Sequence, residues 1–223
     1  MKSLCVITAR GGSKRIPYKN IKIFMGKPML AYAIAAANEA KIFNEIMVST
    51  EDEHIAETAK QWGAKVPFFR TQKTADDYAT TQDVLREVLE KYHDLGQIFD
   101  VLCCIYPCVP FLTGEILTQA YQTFINSNAS KLIPVVEYDF PIQRAFVLTE
   151  DKFLTYREPE NALKRSQDLA LTYHDVGMFY FYKLPQINSK ILPFLMHAQE
   201  TQDIDTPEDW AFAELKYKVL HHA

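Results

Sequence analysis

Thr8-Ala9-Arg10-Gly11-Gly12-Ser13-Lys14-Arg15-Ile16-Pro17-Tyr18-Lys19-Asn20 follows directly on the apolar run Leu4-Cys5-Val6-Ile7. That run has the length and composition of a buried strand. Two glycines and then the cations Arg10, Lys14, Arg15 and Lys19 are not what packing alone asks for. Glycines let a backbone approach a ligand and turn its N–H groups toward an anion. The cations suit a polyphosphate. The spacing is neither GxxxxGK[ST] nor GxGxxG, which disfavours the common NTP-hydrolase and dinucleotide folds. A nucleoside triphosphate remains the natural ligand. A solvated charge run on a surface loop is the competing reading.

Working outward, the chain alternates apolar strands with amphipathic helices. Residues 21–24 read as a short extended piece, and Gly26-Lys27-Pro28 opens a helix striped by Met29, Leu30, Ala33, Ile34 and Ala37. Residues 46–48 form the next strand. Thr50 with Glu53 signals a helix running to Trp62 and stopped by Gly63. Residues 66–69 read as a third extended segment and 71–79 as a polar loop. Thr80 with Asp83 opens a helix striped by Val84, Leu85, Val88, Leu89 and Tyr92. An apolar strand at 99–106, a helix from Thr113 to Asn126 and a strand at 131–136 follow. This order predicts an α/β fold, a mostly parallel sheet with helices on both faces.

The pattern changes at Glu137. Residues 137–175 carry aromatics, prolines and charges with only short strands, 145–148 and 153–156, and read as an insertion or β-rich arm on a single domain spanning 1–223. Strands at 176–182 and 194–196 and a helix from Thr206 complete the chain.

Composition narrows the function. With 223 residues, 48% of them hydrophobic, the chain can build one core plus a small appendage. A formal charge of -4 argues against a general nucleic-acid binder. Cys5, Cys103, Cys104 and Cys108 contain no CxxC pair, and neighbours on a strand point to opposite faces, so buried reduced thiols are expected rather than a metal site. That suits a reducing cytoplasm, as does the lack of a signal peptide or of a membrane-length apolar run.

Two further stretches carry chemistry. Asp203 and Asp205 lie two apart and, if extended, point to one side, where they can share a divalent cation with triphosphate oxygens. The alternative is an acidic turn in which Asp205 or Thr206 caps a helix. Arg165-Ser166-Gln167-Asp168 and Tyr173-His174-Asp175 offer hydrogen bonds to a polyhydroxylated or carboxylated substrate, or form a solvated loop.

Arg10 to Lys14, Ile16-Pro17, Lys19-Asn20, Gly26-Lys27-Pro28, Ser49-Thr50, Arg70 and Asp203-Ile204-Asp205 together resemble the motifs of the CMP-sialic acid synthetases, in order over nearly the whole chain. Thr8 departs from the proline usual before this motif. Within the family the chain is similar to the branch that acts on pseudaminic acid. Lys14 to Pro17, Cys103 to Pro107, Pro141 to Ala145, Arg165 to Asp168 and Tyr173 to Asp175 carry that likeness. A sialate synthetase usually has Gln-Pro where this chain has Tyr106-Pro107, and Asn-Gly where it has Val176-Gly177.

The resemblance implies a nucleotide-diphospho-sugar transferase type of sheet and a homodimer formed through a small arm at about 137–175. It implies CTP contacts at Arg10, Gly11, Gly12, Ser13, Lys14, Lys19, Asn20, Arg70 and Thr81, and Mg2+ on Asp203 and Asp205. Tyr106, Gln143, Arg144, Arg165, Gln167 and His174 fall in the sugar-side region. The implied reaction joins CTP to a nine-carbon 2-keto sugar acid, giving a CMP-sugar for surface glycan or flagellin glycosylation. Lys14 and Lys19 would hold phosphate, and Asp205 or a metal-bound hydroxide would take the sugar proton. The same reaction on legionaminate or N-acetylneuraminate is the near alternative. A non-catalytic nucleotide-binding regulator is the distant one.

Overall fold

The computed structural model describes residues 1–76, 78–186 and 188–221. β1 (Ser3–Thr8) is the buried strand expected, with Leu4 to Ile7 fully enclosed. The loop after it leads to a hairpin of β2 (Ile23–Phe24) and β3 (Lys27–Pro28). Met25 and Gly26 at its turn both have positive φ, 44° and 90°, as a tight two-residue hairpin requires. Residues 26–28 therefore close a hairpin, and Pro28 is the cap of α1 (Met29–Ala40), not its first turn.

β4 (Glu45–Ser49) leads to α2 (Glu53–Gln61). The cap of α2 is Asp52, whose Oδ1 accepts the Ile55 N–H at 3.0 Å, while Thr50 Oγ1 accepts the Asp52 N–H at 3.1 Å. The expected Thr50–Glu53 box is displaced because a better acceptor stands nearer the helix. Residues 66–69 are not a strand; Lys65 alone bridges to Met47, and Pro67 has no N–H to give a ladder.

One helical turn, α3 (Gln72–Ala75), interrupts the expected loop before α4 (Thr81–Asp94), which carries the Thr80–Asp83 capping box. β5 (Val101–Ile105), α5 (Gly114–Ile125, capped by Thr113) and β6 (Lys131–Glu137) follow as read from the sequence. The arm holds a hairpin of β7 (Phe146–Leu148) and β8 (Leu154–Tyr156). β9 (Tyr173–Asp175), β10 (Phe179–Lys183), β11 (Ile191–Leu195) and α6 (Pro207–His221) complete the chain.

The seven-stranded sheet runs β11-β6-β10-β5-β1-β4, with β9 also paired to β6. Ladders are parallel for β1–β4, β1–β5 and β11–β6, and antiparallel where β10 lies between β5 and β6. β9 and β10 run along β6 in succession, pairing with Val135 to Glu137 and then with Leu132 and Lys131. Gly177, at φ 63°, supplies the left-handed residue between them.

Helices α1 and α5 cover one face, packing Leu30, Ile34, Leu117 and Phe124 on Cys5, Ile7 and Phe181. Their contact is close: a Cβ on Gly114 would lie 2.7 Å from the Ala40 nitrogen. On the opposite face α4 packs Leu85, Val88 and Tyr92 on Leu4, Val6 and Leu102. That face continues past α4 as a barer surface, where Ile191 and Leu195 on β11 stay 56% and 64% exposed. A third cluster joins Ile16, Phe24, Tyr32, Ile204 and Trp210. It ties the loop after β1 to the start of α6, two stretches far apart in sequence.

Candidate active site

A cleft of about 780 Å³ opens where β1 and β5 end, the place where open α/β sheets bind ligands. Arg10, Gly12, Ser13, Lys14, Lys19 and Asn20 line it from the loop after β1. Arg70, Thr81 and Tyr106 line it from the other elements, and Asp203 and Asp205 from the segment before α6.

The loop is fixed from beneath. Buried Asn20 donates from Nδ2 to the Arg10 carbonyl at 2.8 Å, and Ile16 inserts into the third cluster. The two glycines do different work. A Cβ on Gly12 would meet nothing within 4 Å, so its backbone faces open cleft. A Cβ on Gly11 would lie 2.8 Å from Asp52 Oδ2, and the Gly11 N–H donates to Glu51 Oε1 at 2.7 Å. Gly11 does not line the cleft as Gly12 does; its backbone packs on Asp52 and anchors the loop to Glu51.

The acidic segment faces the loop. Ile204 is 1% exposed in the third cluster, so its neighbours Asp203 and Asp205 both turn to the cleft. Capping belongs to others: Asp209 accepts from Thr206 N–H and Oγ1, and the Asp209 N–H donates back to Thr206. Lys19 Nζ donates to the Ile204 carbonyl at 2.7 Å and to Asp205 Oδ1 at 3.2 Å, and Arg15 pairs with Asp205 Oδ2 at 2.7 Å. Arg15 and Lys19 thus pair with the acidic segment as well as facing the cleft.

Two hard oxygen donors beside a cationic phosphate cradle fit Mg2+, which takes one or two carboxylates and completes its shell with phosphate and water. Among the described residues no group of three or more His, Cys, Asp or Glu is gathered, so the protein's share would be this pair.

Arg70 is buried, donating from Nε to Ser49 Oγ at 3.2 Å and from Nη2 to the Ser49 carbonyl at 2.8 Å. Burial pulls its guanidinium below the usual range, while Glu51 and Glu87 counter it. Glu87 holds the α3 turn, including cleft-lining Thr74, by accepting from Thr71 and Thr74. Burial pushes the Glu87 carboxyl up, but hydrogen bonds from Lys91, Thr74 and Thr71 outweigh it and bring it to about 2. Cys108 lines the cleft, yet burial raises its thiol to about 12, so it is inert as a nucleophile. All four cysteines are free thiols.

The sugar-side candidates divide. Tyr106 lines the cleft; Gln143, Arg144, Arg165, Gln167 and His174 do not. They belong to the arm and β9, and most of those with partners engage locally. Gln143 donates to the Ala170 carbonyl, Arg165 pairs with Asp168, and His174 packs on Tyr138. The sequence reading missed cleft residues Thr74, Asp76 and Ala79, and used Pro107 and Gly177 as marks of the sugar side without naming them as contacts. Only Pro107 and Gly177 carried a signal, through the family motifs around them.

The cytidylyltransferase family profile matches residues 4–217. A pseudaminic acid cytidylyltransferase of Campylobacter jejuni subsp. jejuni is 41% identical, over 100% of this chain and 99% of its own. A CMP-N,N'-diacetyllegionaminic acid synthase of Legionella pneumophila is 32% identical, over 96% of this chain and 95% of its own. Among solved structures, a CMP:2-keto-3-deoxy-manno-octonic acid synthetase complexed with CTP shares the fold, with a TM-score of 0.71 and 19% identity, each chain covered in full. The chain belongs to the cytidylyltransferase family, and it is a nucleotidyl-transferring enzyme of that family.

Proposed function

We propose that the protein transfers the cytidylyl group of CTP to pseudaminic acid and releases pyrophosphate. Likeness to a pseudaminic acid cytidylyltransferase across its full length carries this reading. In it, the anomeric hydroxyl of the sugar acid attacks the α-phosphorus, the bond from that phosphorus to the bridging oxygen breaks, and the hydroxyl proton leaves to water. Gly12, Ser13 and Lys14 cradle the triphosphate, Lys19 and Arg15 neutralise the departing pyrophosphate, and Arg70 and Thr81 border the nucleoside. Charge crowding dominates the barrier, so preorganised cations supply most of the acceleration. A Mg2+ ion held by Asp203 and Asp205 would offset the triphosphate charge that repels the nucleophile.

The chain acts in this reading as a homodimer in the cytoplasm. Leu148, Phe153 and Leu154 on the arm hairpin are exposed, Leu163 is 99% exposed, and Gln143 keeps its Oε1 buried without a partner among the described residues. Apolar surface of this kind marks a protein interface. An arm that docks on a partner would bring Gln143, Arg144, Arg165, Gln167 and His174 to the partner's cleft. Incubation with CTP, Mg2+ and pseudaminic acid tests the reaction: pyrophosphate must appear only when all three are present, and its absence refutes the reading.

A further inference from the structure

Tyr106 stands one residue past β5, where Cys104 and Tyr106 share the face that α4 covers. Its backbone N–H donates to the Met178 carbonyl at 2.8 Å, and its hydroxyl lies 3.2 Å from Thr81 Oγ1 at the start of α4. Its ring meets that of Tyr180 edge to face, with centroids 5.6 Å apart. Tyr180 is buried, and its hydroxyl donates to the two oxygens of Asp175 at 3.0 and 2.9 Å. Asp175 Oδ1 also accepts the Gly177 N–H at 2.8 Å. The carboxylate therefore spans the break between β9 and β10, and cleft-lining Gly177 sits inside that span.

We propose that Asp175 and Tyr180 are positioning residues that wedge Tyr106 in one orientation at the acceptor end of the cleft and so set which sugar acid is taken. The inference rests on the sugar-acid reading above. A buried phenol needs a hydrogen-bond partner. Without the carboxylate the Tyr180 hydroxyl seeks another, and the ring edge that backs Tyr106 moves. Thr81 ties Tyr106 to the nucleoside side, while Lys19 and Arg15 pair with Asp205 away from Tyr180 and Asp175, so handling of the triphosphate is separable from handling of the sugar.

Steady-state kinetics of Asp175→Ala, Asp175→Asn and Tyr180→Phe, with CTP and pseudaminic acid varied in turn, test this. Asp175→Ala and Tyr180→Phe are expected to raise KM for the sugar acid roughly 10- to 100-fold, the scale of a small misplacement in a site. KM for CTP should stay within about twofold, since uniform nucleotide binding is untouched. Asp175→Asn keeps an acceptor oxygen and should recover most of the loss.

An unchanged KM for the sugar acid, or equal rises for both substrates, overturns the proposal. Tyr180→Phe retains the ring packing and decides the matter if Asp175→Ala does not fold. Should the wild type release no pyrophosphate with any sugar acid, it is the proposed function that fails. The positioning is then read from the 19F resonance of fluorotyrosine placed at Tyr106. A shift in Asp175→Ala supports it, and an unmoved resonance overturns it.

Discussion

Lys19 Nζ lies 3.2 Å from Asp205 Oδ1, joining residues 186 apart in sequence across the rim of the cleft. The Asp205 side chain is 37% exposed, and an ion pair so placed contributes about 0–1 kcal/mol. The segment is held instead by Ile204, whose burial contributes about 1.5–3 kcal/mol. The charges are thus arranged on a scaffold that apolar packing already fixes.

It follows that Asp203→Ala and Asp205→Ala should melt close to the wild type while losing turnover by roughly 10^2-fold or more, the scale of other lost electrostatic stabilisers. Melting curves and pyrophosphate release at limiting Mg2+ check this. Near-normal activity of both variants would end the metal assignment.

The two loop glycines should fail differently. A methyl at Gly11 displaces Asp52 from its cap on α2, so Gly11→Ala should lose about 1 kcal/mol of stability, the typical cost of a lost cap. Gly12→Ala meets only open cleft and should melt normally. Its KM for CTP should rise roughly tenfold, as for overpacking of a close contact. Denaturant melts and CTP titrations separate the two effects.

Glu87 makes the α3 turn sensitive to acid. Its carboxyl is depressed from 4.5 to about 2, so its contribution to stability is complete above 4.5 and is lost as pH falls through about 2. The melting gap between wild type and Glu87→Gln should be widest above pH 4.5 and should close toward pH 2. A gap that does not vary with pH would contradict this.

Charges on the arm hairpin should disperse the proposed dimer. Leu148→Glu with Phe153→Glu is expected to sediment as a monomer where the wild type sediments as a dimer, since both side chains are exposed in the single chain. A wild-type monomer would remove the arm from the account.

Much of this was legible beforehand. The buried run of β1, the Thr80–Asp83 box and the Thr113 start of α5 announce themselves through burial and capping, which are local. The direction of β10 does not: an apolar strand reads alike whether it runs parallel or antiparallel to β5. Asp203 and Asp205 were legible as a pair through their spacing of two, and the burial of Ile204 between them fixes their facing. Glu51, which anchors the Gly11 N–H, gave no sign because that bond depends on how β4 ends beside β1. Gln143 and Arg144 were legible only through resemblance, Arg165, Gln167 and His174 also through their hydrogen-bonding groups, and a single chain leaves all five outside its own cleft.

The central claim is tested most directly by parallel assays of CTP-dependent pyrophosphate release with pseudaminic, legionaminic and N-acetylneuraminic acids. The account predicts turnover with pseudaminic acid and much weaker turnover with the other two. Equal or greater turnover with N-acetylneuraminic acid, or no release with any of them, would contradict it.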